Sequence, residues 1–522
     1  MLTRYSTDGA VAAANHLAAS AGVDAMRRGG NAVDAIIAAA AVMAVVGPDM
    51  CGLGGDLFAL VSRAGEPPAA LNASGRSGSG ADADRLRGDG HRLMPFVGDI
   101  RAVTVPGCVD GLIALHERFA TIELGELFES ARLLAEHGFP ASPTLAAASA
   151  GLAPELRKAV FGAFDTMRVG QRLRLPGVAS VLGAIAESGR GGFYEADPGQ
   201  ELLELGAGEF SEGDLRAGNA DWVAPLGVRA FGQRLWSAPP NSQGYLALSS
   251  AWIADQVGVP DHPDDERWAF LLIEAARQAA FDRVQALHEH ADGPSLVSHE
   301  RLAPRAYSLG ELAARDLSDD YREGGTTCIC AVDRDRTGVS LIMSNAAGFG
   351  SHLALERHGI FLHNRGLGFS LDPGHPAEYG PRRRPPHTLT PMLVTDEADA
   401  LEVALGTMGG DAQPQILLQL LARLLVSQQP AGDAVEAARW SLTRTDASPF
   451  HVWHHDAPPS VLLEHGAPRG WLAGLRRRGY DVLQSTAGDR SFGHAQIIRV
   501  TGDGLLSGAS DPRSGAGGIV GF

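Results

Sequence analysis

Residues 324–350 read GGTTCICAVDRDRTGVSLIMSNAAGFG. Two apolar runs, Cys328 to Val332 and Val339 to Ser344, flank the polar turn Asp333 to Gly338. That pattern predicts a β-hairpin. Its first strand begins at Thr326-Thr327, directly after Gly324-Gly325. Its second runs out into a small-residue loop ending Gly348-Phe349-Gly350. Upstream, Arg315 to Gly325 carries Asp316, Asp319, Asp320 and Glu323, which predicts an exposed loop open to cleavage. By composition alone a threonine here is an ordinary strand residue. Behind Gly-Gly in a polar loop, its hydroxyl can also attack the preceding peptide bond. A cut between Gly325 and Thr326 leaves Thr326 with a free α-amine, whose ordinary pKa is about 7.7–8.0. Nucleophile and base then sit on one residue, which removes the problem of positioning them.

The rest of the composition narrows the setting. The chain has 522 residues, enough for two or three ordinary domains or one large α/β unit. Lys and Arg number 44 against 61 Asp and Glu, a net charge of −17. The one basic run, Arg382-Arg383-Arg384, is too short to argue for nucleic acid. The most apolar run, Ile36 to Val46, falls short of the ~20 residues of a membrane span, and residues 1–20 show no apolar secretory core. These features predict a soluble cytoplasmic protein with neither membrane nor nucleic-acid partner. Cys51, Cys108, Cys328 and Cys330 are too scattered for a disulfide framework, and Cys328 and Cys330 are expected to be buried small apolar residues. His451, His454, His455 and Asp456 are dense, as are His288, His290 and Asp292, yet neither group has a metal-ligand spacing. No metal or cofactor is expected. No G-x-S-x-G elbow stands in a strand–turn–helix context.

Along the chain, residues 9–46 predict two Ala-rich helices, the second capped by Asn31 with Asp34 in the capping-box position. The loop Cys51 to Asp56 precedes a strand, Leu57 to Ser62. This is the reverse of a phosphate-binding order and predicts close backbone packing. Residues 69–104 read as loop. Within them Arg76, just past a strand, is well placed for a substrate. Residues 127–320 read as mostly helical, apart from a strand-rich stretch, Val223 to Trp236, and a rigid loop before a helix over 245–257. Leu401 to Leu405 is a strand ending at Gly409-Gly410, with Asp411 as cap for a helix from Gln415 to Val426. The free N–H groups there suit an anion, so Gly409 and Gly410 are candidate oxyanion donors.

Several blocks resemble the γ-glutamyltransferase (γ-glutamyl transpeptidase) family of N-terminal nucleophile hydrolases. They are Gly29 to Ala35, Val105-Pro106-Gly107, Thr326-Thr327 with the Val332-Asp333 turn, Phe349-Gly350, Gly409-Gly410 and Gly508 to Arg513. They run in family order over nearly the whole chain. The resemblance implies an α/β (α+β) fold, a four-layer αββα sandwich. It implies a proenzyme cut into segments 1–325 and 326–522, of 325 and 197 residues (522 − 325), which stay associated as one αββα unit. A homodimer, or a dimer of the two-fragment unit, stays open. Thr326 becomes the nucleophile, and Gly409 and Gly410 the oxyanion hole.

The substrate positions depart from the transpeptidases. The D-F-R-E segment reads Asn72-Ala73-Ser74-Gly75, with Arg76 just beyond. The Ser-Ser pair becomes His387-Thr388, the Asp that holds an α-ammonium becomes Gly368, and a nearby Gln becomes Arg365. The lid-loop region, 371–386, is shorter. With Ser344 and Asn345, the residues Arg76, Arg365, His387 and Thr388 are the candidate substrate contacts. Losing a carboxylate and gaining a guanidinium disfavours an ammonium and favours a carboxylate. The pattern is similar to the amidohydrolase and acylase branch, with oxamate amidohydrolase and the glutaryl/cephalosporin acylases. The expected reaction is attack on a small-molecule or peptide amide, γ-glutamyl-like or a dicarboxylic monoamide, through an acyl-enzyme. The alternatives are a conventional γ-glutamyl transferase/glutathione hydrolase, a relative that hydrolyses a C–C bond, and a non-catalytic binding relative.

Overall fold

The hairpin does form, and it lies at the centre of a sheet. The computed structural model describes residues 2–162, 166–310, 325–443, 460–489 and 491–522. Gly325–Val332 pairs with Gly338–Ala346. Around them a seven-stranded sheet runs in the order Gly518–Gly521, Ala10–Ala13, Gly325–Val332, Gly338–Ala346, Asp56–Arg63, Glu66–Ala73 and Asp221–Val223. A second seven-stranded sheet has the order Arg4–Ser6, Leu506–Ser510, Ala495–Val500, Leu401–Thr407, Met392–Thr395, Gln233–Ser237 and Leu226–Ala230. Every pairing in both is antiparallel.

Strand periodicity sorts the side chains into layers. Cys328, Cys330 and Val332 point into the core between the sheets, with Phe58, Leu60, Leu393, Ala404 and Ile498. Ile329 and Ala331 point the other way, onto helices His16–Arg27 and Ala32–Val46. Helices Gly244–Val257, Glu266–Ala280 and Gln413–Leu421 cover the outer face of the second sheet. The result is the αββα sandwich. The sheets approach closely: a Cβ added at Gly406 would lie 2.4 Å from Cys328 Sγ. All four cysteines are free and buried.

Helix Ala32–Val46 is buried at every position, as its all-round apolar sequence requires. Its capping box is complete, with Asn31 accepting from Asp34 N–H and Asp34 from Asn31 N–H. Such a cap stabilises a helix by about 0.5–2 kcal/mol.

Three expectations are corrected. Residues 10–13 are a strand between two neighbours rather than helix; a short apolar run buried on both faces has no diagnostic period. The stretch 69–104 is not all loop, since it holds the end of strand Glu66–Ala73 and a helix, Ala83–Gly88. Asp411 does not cap its helix, which starts at Gln413 without a side-chain cap. The expected cleavable loop before Gly325 and the cluster His451, His454, His455 and Asp456 lie outside the described residues.

Candidate active site

Thr326 sits where the hairpin register slips. Gly325 pairs with Ala346 and Thr327 with Met343, so Ser344 and Asn345 together stand opposite Thr326. This is a β-bulge, a device that re-aims side chains. Thr326 is fully buried in the continuous chain. Its Oγ1 lies 2.9 Å from Ser344 Oγ, which donates to the Gly325 carbonyl at 2.6 Å. Either hydroxyl of the Thr326–Ser344 pair can be the donor. Ser344 Oγ also accepts from Ala346 N–H at 2.8 Å and from Arg365 Nη2 at 3.0 Å.

Arg365 comes from a short 3-10 turn, Arg365–Gly368, after strand Ile360–Leu362. It is 3% exposed, and its Nη1 donates to Thr388 Oγ1 at 3.0 Å. Among the described residues its Nε has no partner, and no carboxylate pairs with the guanidinium. Burial lowers its pKa to about 10, against the pull of Asp56 and Asp411, so it stays protonated at neutral pH. Gln243 ties this group to the glycine pair, donating to Thr388 O at 2.9 Å and Gly410 O at 3.1 Å. Gly409 and Gly410 have φ of 146° and 54°, which L side chains rarely adopt. Among the described residues neither of their N–H groups donates a hydrogen bond. Asp411, next in the chain, is buried and bound by Arg283 Nη2 at 2.8 Å. Burial raises its carboxyl, opposed by Arg283 and Arg365.

Ala346, Asn364, Arg365, Thr388 and Asp411 line a small inner cavity. It shares Leu367, Gly368 and Pro386 with an outer cleft, whose walls include Met94, Arg283, Leu287 and Phe369. Gly368 is held by sterics: an added Cβ would lie 2.3 Å from Pro386 O. The place an acidic side chain would occupy is filled by backbone.

The structure thus joins Thr326, Ser344, Arg365 and Thr388 in one hydrogen-bonded chain, with Gly410 linked through Gln243. Asn345 lies alongside, its Nδ2 donating to Pro48 O at 3.2 Å. Two candidates turn elsewhere. Arg76 pairs with Asp221 at 3.1 Å. His387 is fully buried; its Nδ1 accepts from Leu389 N–H and its Nε2–H donates to Asp56 Oδ2 at 3.1 Å. Burial and Arg365 push its pKa down to about 3, so it is neutral. Asp56 also accepts from Gly75 and Gly107 N–H. Burial alone would raise Asp56, but His363, His387 and Gly75 outweigh it and hold the carboxyl well below its usual range. His363 donates to Thr104 O and accepts from Arg365 N–H, which sets the backbone at the start of the arginine turn.

Sequence reading missed Asp56, His363, Gln243, Arg283 and the pocket role of Asp411. Their partners lie far away in sequence, and a lone Asp after a glycine corner gives no signal of its own. Among the described residues no three metal-ligating side chains come together, and no helix is long and apolar enough to cross a membrane.

The sequence pattern described as Gamma-glutamyltranspeptidase matches residues 18–521. The chain is 33% identical to the oxamate amidohydrolase proenzyme of Klebsiella pneumoniae, covering 98% of each chain. It is 32% identical to the glutathione hydrolase-like YwrD proenzyme of Bacillus subtilis, again over 98% of each. In structure it is similar to the cephalosporin acylase from Bacillus halodurans, with a TM-score of 0.90, 29% identity and coverage of 100% of this chain and 97% of that one. The chain belongs to the gamma-glutamyltranspeptidase family and is a hydrolase of its N-terminal nucleophile type.

Proposed function

We propose that this protein cuts itself before Thr326 and then hydrolyses an amide whose acyl part carries a carboxylate. In the first step Thr326 Oγ attacks the Gly325 carbonyl, which the Ser344 hydroxyl polarises. The hydroxyl proton passes to the departing Thr326 nitrogen, and the peptide bond becomes an ester. Water hydrolyses the ester, giving a Gly325 carboxylate and a Thr326 hydroxyl with a free α-amine. In turnover that amine takes the Oγ proton as Oγ attacks the substrate carbonyl. Gly409 and Gly410 N–H groups stabilise the oxyanion, and the proton goes to the leaving nitrogen. Water then releases the acid from the acyl-enzyme. The fragments have reason to stay together. The first sheet takes four strands from residues before the cut and three from residues after it.

The observation that carries the substrate reading is Arg365: a buried cation that no carboxylate hydrogen-bonds among the described residues, lining the cavity and two hydrogen bonds from Thr326 Oγ1. A buried unpaired charge costs several kcal/mol, which a bound carboxylate offsets. The filled position at Gly368 weighs against a γ-glutamyl α-ammonium. The names of the Klebsiella amidohydrolase and the Bacillus acylase support amide hydrolysis. The test combines a denaturing gel with an amide screen. Wild type is expected as two fragments that hydrolyse carboxylate-bearing amides faster than a γ-glutamyl anilide. Thr326→Ala is expected as one inactive chain. A wild-type band that stays uncut, or faster turnover of the anilide, overturns the reading.

A further inference from the structure

We propose that Asp411 is a specificity-determining residue whose carboxylate accepts the N–H of the scissile amide while Arg365 holds the substrate carboxylate. The pocket then selects amides with the carboxylate on, or one carbon from, the scissile carbonyl. This rests on the reading of Thr326 as an amidohydrolase nucleophile.

Two ionisable side chains line the inner cavity, Arg365 and Asp411. Asp411 is bound on Oδ1 by Arg283, and no other hydrogen bond reaches its carboxylate among the described residues. Arg283 itself belongs to the outer cleft, so the ion pair forms the wall between the two spaces. Arg365 lies near the nucleophile, and Asp411 lines the same cavity next to Gly410. Arg365 Nη2 to Ser344 Oγ is 3.0 Å and Ser344 Oγ to Thr326 Oγ1 is 2.9 Å, which bounds the cation-to-nucleophile distance at about 6 Å. Asp411 directly follows Gly410, so their Cα atoms are about 3.8 Å apart. A complementary ligand offers an anion and an N–H donor on either side of one carbonyl. An amide that bears its carboxylate beside the carbonyl has that arrangement. A γ-glutamyl group sets its charges three carbons away, and its ammonium would meet the backbone at Gly368.

The bland reading is that Asp411 only neutralises Arg283. Turnover of processed enzyme separates the two. The probes are oxamate, N-isopropyl oxamate and N,N-dimethyl oxamate, then the monoamides of succinic and glutaric acid. Wild type is expected to favour the N-isopropyl over the N,N-dimethyl amide by roughly tenfold or more, the effect of one charge-assisted hydrogen bond. It is also expected to lose kcat/KM as the acyl chain lengthens. In Asp411→Asn, and in the neutral pair Asp411→Ala/Arg283→Gln, the ratio of the N-isopropyl to the N,N-dimethyl rate should fall toward one. Wild type without either preference overturns the proposal with no variant needed. A cut, active variant that keeps the full preference overturns it too, leaving Asp411 a counter-ion. Cut wild-type enzyme that hydrolyses no carboxylate-bearing amide refutes the parent reading instead.

Discussion

Two buried charge clusters lie on either side of the backbone at 387–388, and they are built to opposite standards. Around Asp56 both carboxylate oxygens are engaged: Oδ1 takes Gly75 N–H and Gly107 N–H, Oδ2 takes His387 Nε2–H, and the ring of His387 is occupied at both nitrogens. Around Arg365 the wiring is left open: among the described residues the Nε has no partner and no carboxylate hydrogen-bonds the guanidinium, Asp56 and Asp411 acting on its charge only through space, and the group borders a cavity. Adjacent residues divide between the two, with His387 facing the closed cluster and Thr388 the open one. A saturated cluster has nothing left to offer a ligand and serves the fold. An unsaturated one carries a cost in the free protein that a ligand removes.

The comparison breaks first under mutation of its two central charges. Asp56→Asn replaces an acceptor by an amide where three N–H donors converge, and leaves a buried network half satisfied. Its expected cost is about 1–3 kcal/mol of stability for each buried donor left unpaired, read as a large fall in the thermal midpoint with processing slowed or lost. Arg365→Met is expected to act in the other sense. Removing an unanswered buried cation should lower the midpoint far less than Asp56→Asn does, while kcat/KM for a carboxylate-bearing amide falls by about 2–4 kcal/mol, roughly 30- to 1000-fold. Equal losses of stability in the two variants would show that the clusters do not differ in kind.

The sequence is informative about one cluster and silent on the other, for a physical reason. Thr326 behind Gly-Gly and the glycine pair at 409–410 are local patterns of adjacent residues, and Arg365 stood out only through the family resemblance. The hairpin was legible locally too, from two apolar runs around the polar turn Asp333 to Gly338. The Asp56–His387 contact joins residues 331 apart, and the Asp411–Arg283 contact joins residues 128 apart. Nothing in either neighbourhood marks the partner. His387 stands in a position that suggested substrate contact, and only the direction of its ring shows otherwise. Gly368 was read as a lost carboxylate; the close approach of Pro386 O shows that the space went with it.

The smallest expected effect is a pH dependence, and it tests whether the closed cluster is as closed as its hydrogen bonds indicate. In the folded chain His387 has a pKa of about 3, lowered by burial and by Arg365. In the unfolded chain it titrates at its ordinary value of about 6.5. Between those two values the unfolded state binds a proton that the folded state refuses. Stability therefore falls as the pH drops from about 6.5 toward 3, by at most about 1.4 kcal/mol per pH unit for one such group. Above pH 6.5 neither state binds the proton and the contribution is flat. His387→Gln keeps a donor for Asp56 and removes the titration. Denaturant unfolding at pH 7, 6, 5 and 4 should give a shallower acid slope for this variant, by close to one proton, with kcat/KM at pH 7 changed only slightly. An unchanged slope would mean that the ring is protonated in the folded chain. Asp56 would then sit beside a cation, and the closed cluster would be an ion pair.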